Sequence, residues 1–261
     1  MTATRALERW YLENGRHDLP WRATRDRWLV LVSEVMLHQT QAPRVAQVYD
    51  AFVKQFPTPA ATAASTPADV IAAWGRLGYP RRARWLWEAA RRIDADGWPD
   101  DLRELPGVGR YTAAAVAAQA DLIDAIGIEV NIRRVCERVN GERLSDAEAE
   151  RAAVAIGAPL KGRDRLLALM DLGATVCVAR NPACEVCPIS RSCATKGPLP
   201  NETRHRQAAY VGSFRQRRGV VLARLREGPT RAIELDGEAL ASLLHDGLAE
   251  VTRGRAHLPN S

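Results

Sequence analysis

An all-helical fold of two lobes with a small C-terminal appendage is predicted by three features of the sequence. From Thr4 to Ala174 apolar residues recur at helical spacing, broken by proline or glycine, and no stretch alternates as a half-buried strand would. Four cysteines then fall within seventeen residues, close enough to converge on one centre. After a polar linker, Gly197 to Gln207, two further helical segments precede a short hairpin, an order that resembles a small winged-helix module.

In chain order, Thr4 to Glu13 reads as an amphipathic helix with Leu7, Trp10 and Tyr11 on one side, stopped by Asn14-Gly15. The extended Asp18-Leu19-Pro20-Trp21-Arg22 follows. Arg27 to Gln41 is predicted as one helix, almost wholly apolar, with Glu34 in its middle and His38 a turn later. Helices are expected over Val45 to Phe56, Pro67 to Leu77 and Arg81 to Asp94, and an Ala-rich tract occupies Pro59 to Ala64. Asp100 to Leu105 is broken by Pro106-Gly107-Val108-Gly109, and strong helix formers resume at Arg110-Tyr111. This is a tight helix-hairpin-helix. Its glycines permit positive φ, and the bare N–H groups opening the second helix suit a phosphate. An ordinary corner between helices has the same signature, so the neighbouring residues must decide. Asn131 to Val139, Asp146 to Ile156 behind a Ser145 cap, and Asp164 to Ala174 complete the core helices. Phe214 to Arg226, Gly237 to Leu244 and a Leu248 to Leu258 hairpin form the appendage.

At 261 residues, 46% apolar, the chain can bury a real core. A net charge of +6 favours a polyanionic partner without proving one. The cations are nearly all arginine, with lysine only at Lys54, Lys161 and Lys196. No apolar run is long enough to span a membrane, and Arg5, Glu8 and Arg9 leave no apolar signal core, so a cytosolic protein with reduced thiols is expected.

Cys177, Cys184, Cys187 and Cys193 are spaced C-x6-C-x2-C-x5-C. Four soft ligands imply zinc or an iron-sulfur cluster, and the single C-x2-C clip, where structural zinc sites usually have two, favours the cluster. Arg180, Arg191 and Lys196 lie in or beside these loops, either presented to phosphates by the metal scaffold or simply solvated. Cys136 stands apart as a core thiol. Glu34, on its apolar helix, suits a proton donor near neutrality, because desolvation raises a carboxyl's pKa. Glu129 supplies a second carboxylate, and Asn131 is placed to orient it. Cleavage of an N-glycosidic bond uses such a pair, one group protonating the leaving base and the other stabilising the cationic sugar. Taken singly, such residues are more often surface charges or caps.

These motifs occur together and in order: DLPWR, SEVML, WGRLGYPRRAR, LPGVGRYTAAAV, VNIRRV, MDLGATVC and the four-cysteine loop. Over residues 17–194 the chain thereby resembles the helix-hairpin-helix, Gly/Pro-rich loop, Asp superfamily of base-excision DNA glycosylases, with its adenine glycosylases the nearest branch. The resemblance implies a six-helix barrel over residues 27–122 carrying the hairpin, a cluster lobe built from 1–26 and 123–197, and a module over 205–261, with DNA in the cleft between the lobes. It implies a 4Fe-4S cluster on the four cysteines and Glu34 as general acid. Tyr111 falls where lyase-type relatives carry lysine, and with no lysine in residues 55–160 it implies a monofunctional glycosylase using water. Gln39, Leu77 and Tyr79 match the elements that wedge into the duplex as the base is flipped out. Gly107, Val108, Gly109 and Arg110 match the phosphate grip, and a monomer is sufficient for one duplex.

The family's catalytic aspartate falls on Glu129, one methylene longer, and His38 stands where glutamine is usual. Full-size adenine glycosylases also carry a large C-terminal domain that recognises 8-oxoguanine, whereas some sixty residues follow the cysteines here. Arg204, Arg206, Arg215, Arg217 and Arg218 are candidates for a basic arm on DNA. The rival readings are a thymine or uracil mismatch glycosylase and a DNA-binding paralogue with weakened catalysis.

Overall fold

The computed structural model describes residues 3–200, 202 and 209–260. Among the described residues, helices and their connecting loops make up the structure apart from one small sheet near the C-terminus. Two compact units are formed, Met1–Glu34 with Val108–His205, and Val35–Gly107 with Arg206–Ser261.

In the first unit lie α1 (Ala3–Asn14), α7 (Arg110–Gln119), α8 (Val130–Asn140), α9 (Asp146–Gly157) and α10 (Gly162–Asp171). Their apolar stripes meet around Leu7, Ala115, Ile132, Leu166 and Leu169, with Cys136 buried among them as a core thiol. The expected Ser145 cap is a full capping box with Glu148. One ion-pair network pins the entry segment to this core. Arg22 donates through both Nη atoms to Asp171 (2.6 and 2.7 Å), and Arg16 adds its backbone N–H and Nε at 2.9 and 2.7 Å. Burial pushes the Asp171 carboxyl up, but the two arginines hold it below its ordinary range.

The second unit contains α3 (Ala42–Gln55), α4 (Pro59–Ala63), α5 (Pro67–Ala73) and α6 (Arg81–Asp96), packed around Trp74, Phe52, Phe56, Ile71, Leu77 and Leu86. The Ala-rich tract is α4, begun by the Thr58 hydroxyl, which accepts from the Ala61 N–H at 3.1 Å. Two helices are shorter than their periodicity predicts. α2 (Arg27–Leu37), which carries the chain from the first unit into the second, ends four residues early, with Gln39 at φ +54. α5 stops at Ala73, before Gly75 at φ +56. Left-handed backbone ends a helix whatever the apolar spacing beyond it.

The C-terminal module belongs to this second unit. α11 (Phe214–Glu227), β1 (Thr230–Arg231), α12 (Gly237–His245), β2 (Glu250–Thr252) and β3 (Arg255–His257) follow the element order of a winged helix, with an antiparallel sheet in the order β1-β3-β2. β1 is the strand that sequence reading misses, since two residues carry no alternation. The module is fastened to α5 and α6 by Arg81 on Asp246 (2.6 Å), Arg84 on the Gly247 carbonyl (2.5 Å) and the Ala68 N–H on the Pro259 carbonyl (3.0 Å). Arg204 and Arg206 lie outside the described residues. Arg217 pairs with Asp236 and Glu238, and Arg218 with Asp246 and Ser242, so both cations are already neutralised within the module.

Candidate active site and cluster loop

α2 is so apolar that any polar group in its middle is carried inward, and Glu34 is 3% exposed. Gln119, in the last turn of α7, donates its Nε2–H to Glu34 Oε1 at 2.7 Å. Tyr111, in the first turn of α7, hydrogen-bonds the same carboxyl through its hydroxyl. Burial raises the Glu34 pKa, and the nearby charge of Glu129 raises it further against the two hydrogen bonds. The Tyr111 hydroxyl is driven well up by burial and by both carboxylates, so it remains a neutral phenol. Its ring lies against Gly127, where a Cβ would come within 2.8 Å.

Glu129 is the N-cap of α8. Its Oε1 accepts from the Ile132 backbone N–H and its Oε2 from Asn131 Nδ2, each at 2.9 Å. The capping reading and the chemical one therefore coincide in one side chain. Burial raises its pKa, while the amides of Asn131 and Ile132, the charge of Arg134 and the Asn131 side chain act to keep it ionised. The two carboxyls are unequally supported: burial raises both, and Glu129 alone caps a helix N-terminus. His38 lies just past the end of α2, and burial and then Arg82 lower the imidazole pKa.

Behind Glu129 stands Arg134, which sequence reading passes over. It donates to Asn131 Oδ1 (2.7 Å), to the Gly173 carbonyl (2.6 Å) and, through Nε, to the Cys177 carbonyl (2.6 Å). Gly173 is the second residue of the π turn after α10, Leu172–Val176, and a Cβ there would come within 2.7 Å of Asn131. One turn along α8, the buried Arg138 reaches Cys177 Sγ (3.4 Å) and pairs with Glu202 (2.8 Å). The signal for both arginines is their placement four apart, interleaved with the apolar positions of α8. For Gln119 the signal is a lone amide in an alanine-rich helix.

Cys177, Cys184, Cys187 and Cys193 line one pocket, partly open, walled by Val135, Leu172, Val176 and Ile189. No three Cys, His, Asp or Glu side chains among the described residues close on a point that one metal ion could fill. Four thiols that line one pocket without closing on a single point fit a polynuclear cluster better than zinc, whose four ligands meet at a single atom. Arg180 and Arg191 are exposed on this loop.

The remaining predicted positions lie elsewhere. Gly107 has φ +76, and a Cβ on it would come within 3.0 Å of Trp85, while an added Cβ on Gly109, the N-cap of α7, would meet nothing. Val108 is buried, and the exposed Arg110 is ion-paired with Glu150 at 2.7 Å. Gln39 is exposed and Tyr79 is 41% exposed. Leu77, expected at the duplex, is 2% exposed. It is a core residue, because the chain turns outward only after it, at Gly78 with φ +83.

Residues 32–157 match the HhH-GPD superfamily of base excision DNA repair proteins, and residues 177–193 match the iron-sulfur binding domain of endonuclease III. The chain is 42% identical to the adenine DNA glycosylase of Mycolicibacterium smegmatis, over 93% of this chain and 91% of that protein. It is 43% identical to the adenine DNA glycosylase of Mycobacterium tuberculosis, over 96% and 91%. A solved structure of a thermostable thymine-DNA glycosylase superimposes with a TM-score of 0.66 at 31% identity, covering 74% of this chain and 94% of that one. The fold and the family matches thus define a helix-hairpin-helix DNA glycosylase of base excision repair, with a 4Fe-4S cluster. Within that superfamily the chain belongs to the adenine DNA glycosylase family, whose two mycobacterial members align with more than nine-tenths of it.

Proposed function

We propose that this protein removes adenine from mispairs with 8-oxoguanine or guanine in duplex DNA, as a monofunctional glycosylase that uses water. The observation that carries this reading is the pair formed by Glu34, buried beneath Gln119 and Tyr111, and the helix-capping Glu129. Glu34 donates its proton to a ring nitrogen of the extruded adenine as the bond from nitrogen to C1′ breaks. Glu129 balances the positive charge left on the sugar until water adds at C1′. Tyr111 holds the Glu34 carboxyl and offers no amine, so no Schiff base forms there.

In this reading the hairpin at Gly107, Val108, Gly109 and Arg110 holds a phosphate on the backbone amides opening α7, and Arg180 and Arg191 on the cluster loop hold others. Gln39 and Tyr79 enter the base stack. The cluster supplies the scaffold on which that loop is shaped, with no part in bond cleavage. The functional partition is 27–122, 1–26 with 123–197, and 205–261, working as a cytosolic monomer on one duplex.

Single-turnover base release from duplexes carrying A·8-oxoguanine, A·G, T·G, U·G and undamaged pairs tests the reading. Adenine release opposite 8-oxoguanine or guanine is expected, abolished in Glu34→Gln with DNA binding retained. Faster release by Glu129→Asp would show that the extra methylene displaces the carboxylate from its best position. Unchanged excision by Glu34→Gln would sink the assignment of the acid. The likeness to a thymine-DNA glycosylase supports a second reading, T·G or U·G processing, which the same panel separates. Binding without release from any duplex would mark a paralogue that has lost catalysis.

A further inference from the structure

Arg82, in the first turn of α6, has a buried guanidinium, 4% exposed, and no carboxylate figures among the charges acting on it. Backbone oxygens meet its charge instead. Nη1 donates to the carbonyls of Val35 (2.7 Å), Met36 (2.9 Å) and His38 (2.6 Å). Nη2 donates to Thr40 Oγ1 (2.9 Å) and the Gly78 carbonyl (3.1 Å), and Nε to the Tyr79 carbonyl (3.4 Å). The rings of Trp74 and Tyr79 lie 5.2 and 5.4 Å from the guanidinium carbon. Thr40 Oγ1 also reaches the Leu77 carbonyl at 3.4 Å.

One side chain thereby ties the frayed end of α2 to the turn that precedes α6. Each of those loops holds a non-glycine residue in the left-handed region, Gln39 at φ +54 and Tyr79 at φ +47, and both of these residues are exposed. Such backbone persists only where its surroundings over-determine it. Apolar packing would hold two loops together at lower cost than a buried cation. What a guanidinium adds is five directed N–H donors in a rigid plane, enough to set the orphan carbonyls of both loops in one frame. Burial brings Arg82 down to about 10, so the side chain remains charged at neutral pH.

We propose that Arg82 is a positioning residue for base extrusion, holding Gln39 and Tyr79 as one pre-formed, two-pronged wedge before DNA arrives. The proposal rests on the reading of Gln39 and Tyr79 as duplex-opening residues. Its test is Arg82→Lys, which keeps the charge and loses the planar fork, with Thr40→Val as a milder variant that leaves the cation its carbonyls. Extrusion is followed by stopped-flow fluorescence of 2-aminopurine in place of the target adenine, beside affinity for undamaged duplex and single-turnover release from A·8-oxoguanine. In Arg82→Lys, unstacking and release are expected to slow together by about 100-fold, as for an angstrom-scale misplacement, with affinity for undamaged duplex unchanged. Thr40→Val should lose about tenfold in the same two readouts. Wild-type unstacking in both variants would overturn the proposal, as would parallel loss of unstacking and undamaged-duplex affinity. If Arg82→Lys fails to fold, Thr40→Val decides by the same criteria. A wild-type protein that binds the mispair and never unstacks the probe would refute the reading of the wedge itself, and this proposal with it.

Discussion

At the scale of single residues, the site is a contest over one proton. Glu34 and Glu129 are both desolvated, but only Glu129 caps a helix and accepts from its terminal amides. Both carboxyls are legible in the sequence, one as a charge inside an apolar run and the other as a residue just ahead of a helix. Gln119 is not legible, because the distance from residue 34 to residue 119 closes only in the fold. Its donated hydrogen bond favours the ionised form of Glu34 and so lowers the carboxyl's pKa. The acid must be protonated to act, so release declines as pH rises through that pKa. Gln119→Leu removes a lowering contact, and the decline is expected to move to higher pH. A pH-rate profile under single-turnover conditions checks this, and a decline moved to lower pH would contradict it.

At the scale of elements, periodicity located the helices and missed their ends. α2 and α5 stop short where left-handed residues intervene, and α2's last carbonyls go to Arg82 rather than to a further turn. The π turn after α10 shows the same dependence on context. It brings the Gly173 carbonyl against Arg134 and its Cα against Asn131, leaving no room for a side chain. Gly173→Ala must push α8 and the turn apart, at about 1 to 3 kcal/mol of strain, and displace Asn131 and the Glu129 it holds. Adenine release is expected to fall about 10- to 100-fold. Iron content and DNA affinity, which depend on the cysteines and the phosphate contacts, should change little. Release at the wild-type rate would show that the Glu129–Asn131 contact does not set the rate.

At the scale of the whole molecule, the appended module is a brace. Arg217 and Arg218, expected in a basic arm, have acidic partners within the module, and its contacts with α5 and α6 place it inside the second unit. Removal of residues 209–261 should therefore lower the melting temperature of that unit, leave the cluster absorbance of the first unit in place, and leave the salt dependence of DNA binding nearly unaltered. Calorimetry, visible absorption and a salt titration on the truncated chain test the three parts. A large fall in the salt slope would restore a DNA-contacting role.

The sequence by itself determined the helical class, the hairpin, the four-cysteine spacing, the two carboxylates and the family. These are local or short-range properties, carried by periodicity, glycine placement and ligand spacing. Only the tertiary structure decided that Leu77 belongs to the core, that His38 stands beyond the end of α2, and that Gln119 meets Glu34, Arg134 meets Asn131 and Arg82 meets the carbonyls of Val35, Met36 and His38. The reason is physical. Each of those outcomes depends on which buried donor meets which orphan carbonyl or carboxylate across tens of residues, and side-chain type alone carries no record of that pairing.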